Sequence, residues 1–90
     1  MNYRLVWLPK ADEVLATHYF LAFEKGSDPT FLDFAVSEIN AMLAANPVDA
    51  GESRNGKRRI AFVRHLSVIF EAVEAEGVIL IYDAQVRLPS

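Results

Sequence analysis

With 90 residues, a formal charge of −3 and no cysteine, the chain is expected to form one domain, residues 1–90, without a disulfide framework, a thiolate nucleophile or a cysteine-ligated zinc site. No segment approaches the roughly 20 apolar residues of a membrane helix, and the apolar run before Pro9 is too short for a signal peptide, so we expect a cytoplasmic protein without membrane contact. Hydrophobic residues make up 52% of the sequence, more than so small a domain can bury, which predicts an apolar patch covered by a partner or by a second copy of the chain.

The first half of the chain predicts one strand and two helices. The apolar, aromatic run from Tyr3 to Leu8 is typical of a strand, which Pro9 closes. From Lys10 to Lys25 the apolar residues recur at helical spacing, and Gly26 ends that helix. Ser27 and Asp28 then offer a side-chain cap, Pro29 suits the first turn, and a single apolar stripe predicts a second helix that continues to Ala45.

Aromatic side chains are concentrated on these two helices: Tyr19, Phe20, Phe23, Phe31 and Phe34. Their helical spacing favours packing in the core or between the helices. Stacking on nucleic-acid bases is the lesser alternative, because the basic residues lie elsewhere in the sequence.

The second half of the chain predicts a loop followed by three strands. Residues 47–56 combine proline, glycine and the pair Asn55-Gly56, which is typical of a loop with a tight turn. The period then becomes two, and strands are expected at residues 58–63, 66–73 and 78–82 with short connections. The order β-α-α-β-β-β predicts an α+β fold in which two helices pack together on one face of a mostly antiparallel four-stranded sheet.

One cluster of basic residues stands out in this otherwise acidic chain. Eleven positions without Asp or Glu contain Arg54, Lys57, Arg58, Arg59 and Arg64. Such a cluster would attract a polyanion or an acidic protein. The alternative is a charged sheet edge that prevents strand-to-strand association. Arg58 and Arg59 are consecutive on a strand, so they should point to opposite faces, and only one of them can line a given groove.

The order of elements and several short motifs resemble the RelE/ParE family of bacterial type II toxins. The matching residues begin with Tyr3-Arg4-Leu5-Val6-Trp7 and the helix end Leu43-Ala44-Ala45-Asn46-Pro47. Further matches are Gly56-Lys57-Arg58-Arg59, Val68-Ile69-Phe70 and Val78-Ile79-Leu80-Ile81. The resemblance spans nearly the whole chain and implies a cognate antitoxin as partner.

The resemblance also implies one of two activities, ribosome-dependent cleavage of messenger RNA or inhibition of DNA gyrase. Cleavage through the 2′-hydroxyl needs a proton acceptor and cations that stabilise the charged phosphate. For those roles the candidates are Lys57, Arg64 and Arg87, and the five clustered basic residues are the candidates for binding nucleic acid. The chain departs from the family at Ser67, where the family has an arginine.

Other site chemistry has little support in the sequence. No glycine-rich phosphate loop is present, so no nucleotide cofactor is expected, and neither His18 nor His65 has metal-ligand neighbours at a suitable spacing. Two alternatives to a toxin stay open. One is a non-enzymatic binding module that keeps the fold but has lost the catalytic residues, and the other is a dimerisation domain without a nucleic-acid role.

Overall fold

The computed structural model describes residues 3–45, 52–54 and 57–87. Two helices, α1 (Pro9–Glu24) and α2 (Thr30–Ala45), follow the first strand, β1 (Arg4–Trp7). The other strands are β2 (Glu52–Arg54), β3 (Arg58–Val63), β4 (Leu66–Val73) and β5 (Val78–Val86), with one 3-10 turn, Glu74–Glu76, before β5. The predicted order of helices and strands is confirmed, and the structure adds the three-residue strand β2.

The ends of the helices follow from local chemistry. Pro9 is the first residue of α1 rather than the end of a strand, because its fixed φ suits a first turn in which no N–H partner is required. At the other end Gly26 has a φ of +69°, and the amide of Ser27 donates to the carbonyl of Ala22 at 2.8 Å, which closes the helix as predicted.

Asp28 prepares the start of α2. Its carboxylate accepts a hydrogen bond from the amide of Thr30 at 3.0 Å and another from the hydroxyl of the same residue. These bonds hold the pKa of Asp28 below its ordinary value. The predicted side-chain cap is therefore present, one residue before the proline.

The five strands of the described residues form one sheet in the order β1-β5-β4-β3-β2. β1 pairs with β5 in parallel, and the other pairs are antiparallel. The mostly antiparallel α+β architecture is thus confirmed, and β2 extends the sheet beyond the four predicted strands. The turn predicted at Asn55-Gly56 and the helix end predicted at Asn46-Pro47 lie outside the described residues.

A β-bulge divides β5. Ile69 of β4 is paired with Asp83, whereas the next residue, Phe70, is paired with Ile81, so Tyr82 is an extra residue in β5. The bulge explains why β5 continues to Val86 although the alternation in the sequence breaks at Tyr82. The strand was predicted to end there because period-two reasoning assumes one residue per step on each strand.

Both helices cover the same face of the sheet. The buried cluster joins Ala11 and Leu15 of α1 and Leu32, Ala35, Ile39 and Leu43 of α2 to the sheet residues Ala61, Leu66, Val68, Phe70, Ile79 and Ile81. The indole N–H of Trp7 donates to the side-chain oxygen of Asn40 at 3.1 Å, which ties β1 to α2. Neither described helix combines the length and the hydropathy that a bilayer-spanning segment requires.

The prediction that the helix aromatics pack in the core is wrong for three of them. Tyr19 and Phe31 are half-buried against the core, but Phe20, Phe23 and Phe34 are 59%, 83% and 71% exposed. These three rings stay exposed because the apolar stripes of α1 and α2 are wider than the core can cover, and Phe34 lines a hollow with Arg64 and His65. They form part of the predicted apolar surface.

One hydrogen bond joins the two helices and makes stability depend on pH. The hydroxyl of Tyr19 donates to the carboxylate of Asp33 at 2.5 Å. Burial, then this bond and the negative charge of Asp33, raise the pKa of Tyr19 from 10.0 to about 12. The folded chain therefore keeps a proton that the unfolded chain loses, and the contribution to stability is present below pH 10 and is lost between about pH 10 and 12.

Replacing Tyr19 by Phe should remove this pH dependence. Denaturant unfolding from about pH 8 to 12 should show wild type more stable than Tyr19→Phe below pH 10, with the difference shrinking towards pH 12. Phe20→Leu, which changes an exposed neighbour of Tyr19 and removes no titrating group, is the control and should show a constant difference from wild type. A constant difference for Tyr19→Phe as well would contradict the assigned cause.

Candidate nucleic-acid interface

The face of the sheet that points away from the helices, which we call the outer face, carries charged and aromatic side chains. It is defined by residues that alternate with the core positions: Arg4 and Val6 on β1, Arg58, Ile60 and Phe62 on β3, Ser67, Ile69 and Glu71 on β4, and Leu80, Asp83 and Gln85 on β5. Tyr82 joins them because the bulge places it and Asp83 on the same face. No helix among the described residues covers this face.

One arginine–aromatic pair crosses the outer face from β3 to β5. The guanidinium carbon of Arg58 lies 4.0 Å from the centre of the Tyr82 ring. The hydroxyl of Tyr82 donates to the carboxylate of Glu71 at 3.1 Å. Arg58 is exposed, so this cation–π contact leaves its N–H donors available to an anion in solvent.

A second arginine–aromatic pair crosses the same face nearer the turn between β3 and β4. The guanidinium carbon of Arg87 lies 5.8 Å from the centre of the Phe62 ring, and that ring is 51% exposed. Phe62 is paired with Ser67, which in turn is paired with Gln85. Arg87 therefore brings a cation from the end of β5 into the row of residues that contains Ser67.

His65 fixes the position of Arg87. The amide of Arg87 donates to the carbonyl of His65 at 2.8 Å, and Nδ1 of His65 donates to the carbonyl of Arg87 at 3.1 Å. His65 has a φ of +71°, a conformation that costs a non-glycine residue free energy, and its ring also packs edge-on against Phe31 at 5.3 Å. These contacts hold the strained turn and, with it, the end of β5.

The structure divides the predicted basic cluster among several surfaces. Arg58 lies on the outer face, whereas Arg59 is half-buried and faces the helix side, where it is paired with Phe70. Lys57 and Arg59 line a hollow at the start of β3 together with Glu71 and Glu74. The prediction that Arg58 and Arg59 point to opposite faces is confirmed. For Arg54 the structure describes only its place in β2.

Arg64 lies away from the outer face. It lines a hollow of about 300 Å³ on the helix side, with Phe34, Glu38 and His65. Lys57 and Arg64 flank β3 at its two ends, seven residues apart, which is roughly 23 Å along an extended chain. Of the three candidate catalytic residues, Arg64 and Arg87 lie at the same end of the sheet and Lys57 at the other.

Sequence reasoning missed three members of the outer face: Arg4, Phe62 and Tyr82. The spacing of Arg58, Ile60 and Phe62 by two residues was enough to place them on one face of a strand. Tyr82 could not be found in this way, because the bulge shifts its direction. Within the described ranges, no group of three or more His, Asp or Glu side chains could hold a metal ion.

Charge distinguishes the outer face from the helix layer. The outer face presents Arg4, Arg58 and Arg87 against Glu71 and Asp83, and Asp83 is already paired with Lys10 at 3.2 Å. On residues 9–45 the exposed charged side chains are two lysines, Lys10 and Lys25, and six acids, Asp12, Glu13, Glu24, Asp28, Asp33 and Glu38. A polyanion is therefore attracted to the outer face and repelled by the helix layer.

No family model and no curated protein sequence matches the chain. A comparison of structures finds similarity to a chain in the crystal structure of the toxin–antitoxin complex RelBE2 from Mycobacterium tuberculosis, with a TM-score of 0.74 and 16% sequence identity, over 97% of this chain and 100% of that chain. The RelE/ParE-type fold expected from the sequence is confirmed, and at this identity the similarity establishes the fold alone.

Proposed function

We propose that the chain is the toxin component of a type II toxin–antitoxin pair and that it acts by binding single-stranded RNA across the outer face. The observation that carries this proposal is the presence of two arginine–aromatic pairs, Arg58 with Tyr82 and Arg87 with Phe62, on one face that no described helix covers. Aromatic rings stack on unpaired bases, and arginine pairs with phosphate oxygens. The fold shared with a chain of the RelBE2 complex supports the toxin assignment.

The arrangement favours single strands over a duplex. Phe62 and Tyr82 can stack only on bases that are not paired and stacked with others, and both rings belong to a sheet surface rather than to a helix that could enter a groove. The Tyr82 ring is also held in place by its hydrogen bond to Glu71 and by the Arg58 guanidinium above it. Little conformational entropy is then lost on binding.

Arg87 supplies a cation close to Ser67. The RelE/ParE family has an arginine at the position of Ser67, and in this chain Arg87 reaches the same row of the sheet from β5. We assign phosphate binding to Arg87 and Arg58, with Lys57 next to Arg58 at the start of β3. For the finer hypothesis of messenger RNA cleavage, Arg87 is the candidate for stabilising charge on the phosphate, because Arg64 lies on the helix side of the sheet. Lys57 is too distant to act on the same phosphate, so we propose binding as the primary function.

RNA-binding measurements on single variants can separate phosphate contacts from stacking. Arg58→Ala and Arg87→Ala should each weaken binding of a single-stranded oligoribonucleotide and reduce the slope of log K against log salt by about 0.7, the value for one lost phosphate contact. Phe62→Ala should weaken binding by about 1–3 kcal/mol with little change in slope, because stacking releases no counterion. Fluorescence anisotropy at several salt concentrations measures both quantities.

Lys25→Ala is the matched control for these variants, because Lys25 is an exposed cation on the acidic helix layer. It should bind RNA as wild type does, with the same salt slope. If Lys25→Ala weakens binding as much as Arg58→Ala and Arg87→Ala, the RNA is held by general charge and the outer face is not the site. Gel analysis of the same RNA with ribosomes present tests cleavage separately.

The antitoxin in this proposal binds the helix layer. Phe20 and Phe23, three residues apart on α1, are the exposed apolar anchors. Two acids lie near them: Glu24 follows Phe23 in the sequence, and Asp33 of α2 is hydrogen-bonded to Tyr19, the residue before Phe20. A segment that combines apolar and basic side chains complements this surface in hydropathy and in charge. Burying two phenylalanines would also remove from water much of the apolar area that this small domain cannot cover by itself.

Two reciprocal variants test whether the two partners use separate faces. Phe20→Ser with Phe23→Ser should weaken the complex with the proposed antitoxin at least about tenfold, since each buried phenylalanine contributes about 1.5–3 kcal/mol. RNA binding should be unchanged. Phe62→Ser should weaken RNA binding and leave the complex with the antitoxin unchanged. Calorimetry measures the complex, and light scattering shows whether the chain alone forms a homodimer through the same apolar surface.

A further inference from the structure

A small hollow lies between the two arginine–aromatic pairs on the outer face. Its volume is about 130 Å³, and Ile60, Ile69, Ser67, Asp83 and Gln85 line it. Ile60 is paired with Ile69 and Ile69 with Asp83, so these three form one row across three strands. Along β3, Ile60 of this row lies two residues from Arg58 and two from Phe62, or about 7 Å from each.

The lining combines an apolar floor with polar groups at one side. The two isoleucines offer a surface on which a flat ring can lie. Ser67, only 4% exposed, and Gln85 are paired with each other and add a hydroxyl and an amide beside that floor. A ligand held here would have one apolar, planar face and a polar edge directed at β5.

Asp83 is a fixed hydrogen-bond acceptor at this polar side. One carboxylate oxygen accepts from the amide of Ala84 at 2.9 Å, and the other pairs with the ammonium of Lys10 at 3.2 Å. These contacts set the orientation of the carboxylate, and each oxygen still has a lone pair for another donor. Asp83 therefore selects a ligand edge that carries N–H groups.

We propose that this hollow holds one unstacked nucleobase and that Asp83 selects guanine, an inference that rests on the proposed binding of RNA. The Watson–Crick edge of guanine carries two adjacent donors, the ring N–H and the exocyclic amino group, which match the two oxygens of one carboxylate. Uracil has a single ring N–H flanked by two carbonyls, which the carboxylate would repel. Arg58 and Arg87, on either side of the hollow, bind the phosphates before and after the selected base.

The test uses five-nucleotide RNAs that differ only at the central base. Wild type should bind the oligonucleotide with guanine in a uridine background about tenfold more tightly than the one with uridine throughout, a factor within the range of one bidentate contact to a base. Asp83→Asn should reduce this preference to within about twofold, because an amide offers only one acceptor, while binding of the uridine oligonucleotide changes little. Glu74→Gln, which removes a carboxylate outside the outer face, is the matched control and should keep the preference.

A second measurement needs no protein variant. Replacing the central guanine by inosine removes the exocyclic amino group but keeps the ring N–H, and it should weaken binding to wild type about threefold. Equal binding of guanine, inosine and uridine oligonucleotides would overturn the base-selecting role of Asp83 while leaving RNA binding intact. Failure of all the oligonucleotides to bind would instead overturn the proposed function and this inference with it.

Discussion

The bulge at Tyr82 is the constraint on which the outer face depends. In a regular strand Ile81 and Ala84 would point to opposite faces, yet both belong to the helix-side core. The extra residue lets both side chains point to the helix side and leaves Tyr82 and Asp83 next to each other on the outer face. Without the bulge, Asp83 and Arg87 would point towards the helices. Asp83 would then leave the hollow, and Arg87 would no longer reach Phe62. Packing of the core and assembly of the site therefore have the same local cause.

The two layers of the molecule present opposite chemistry to solvent. The sheet exposes arginines beside aromatic rings, and the helices expose phenylalanines among acids. In a domain of 90 residues the hydrophobic excess cannot all be buried, so some exposed apolar area is unavoidable. Its segregation from the basic face lets one small domain carry one surface for a polyanion and another for a protein. The proposed RNA and the proposed antitoxin would therefore bind different faces of the domain.

Sequence patterns predicted most of the architecture and only part of the site. The stripe of α2, the cap at Asp28, the ending at Gly26 and the three C-terminal strands depend on local propensity and period, which a single sequence shows. The bulge at Tyr82 depends on pairing with β4, and the exposure of Phe20, Phe23 and Phe34 depends on how much surface the sheet can cover. The sequence predicts a single basic surface because the members of the basic cluster are close together in the chain. Strand alternation and the length of β3 place them on different surfaces, so Arg58 joins Arg87, twenty-nine positions away, rather than Arg59.

The central claim is that single-stranded RNA lies on the outer face of the sheet, and photo-crosslinking tests it most directly. Ultraviolet irradiation of the complex between the wild-type chain and a uridine-rich oligoribonucleotide, followed by mass spectrometry of the peptides, identifies the side chains that touch bases. We expect crosslinks at Phe62 and Tyr82, the two aromatic rings on that face. Crosslinks confined to Phe20, Phe23 or Phe34 on the helix layer would contradict the account.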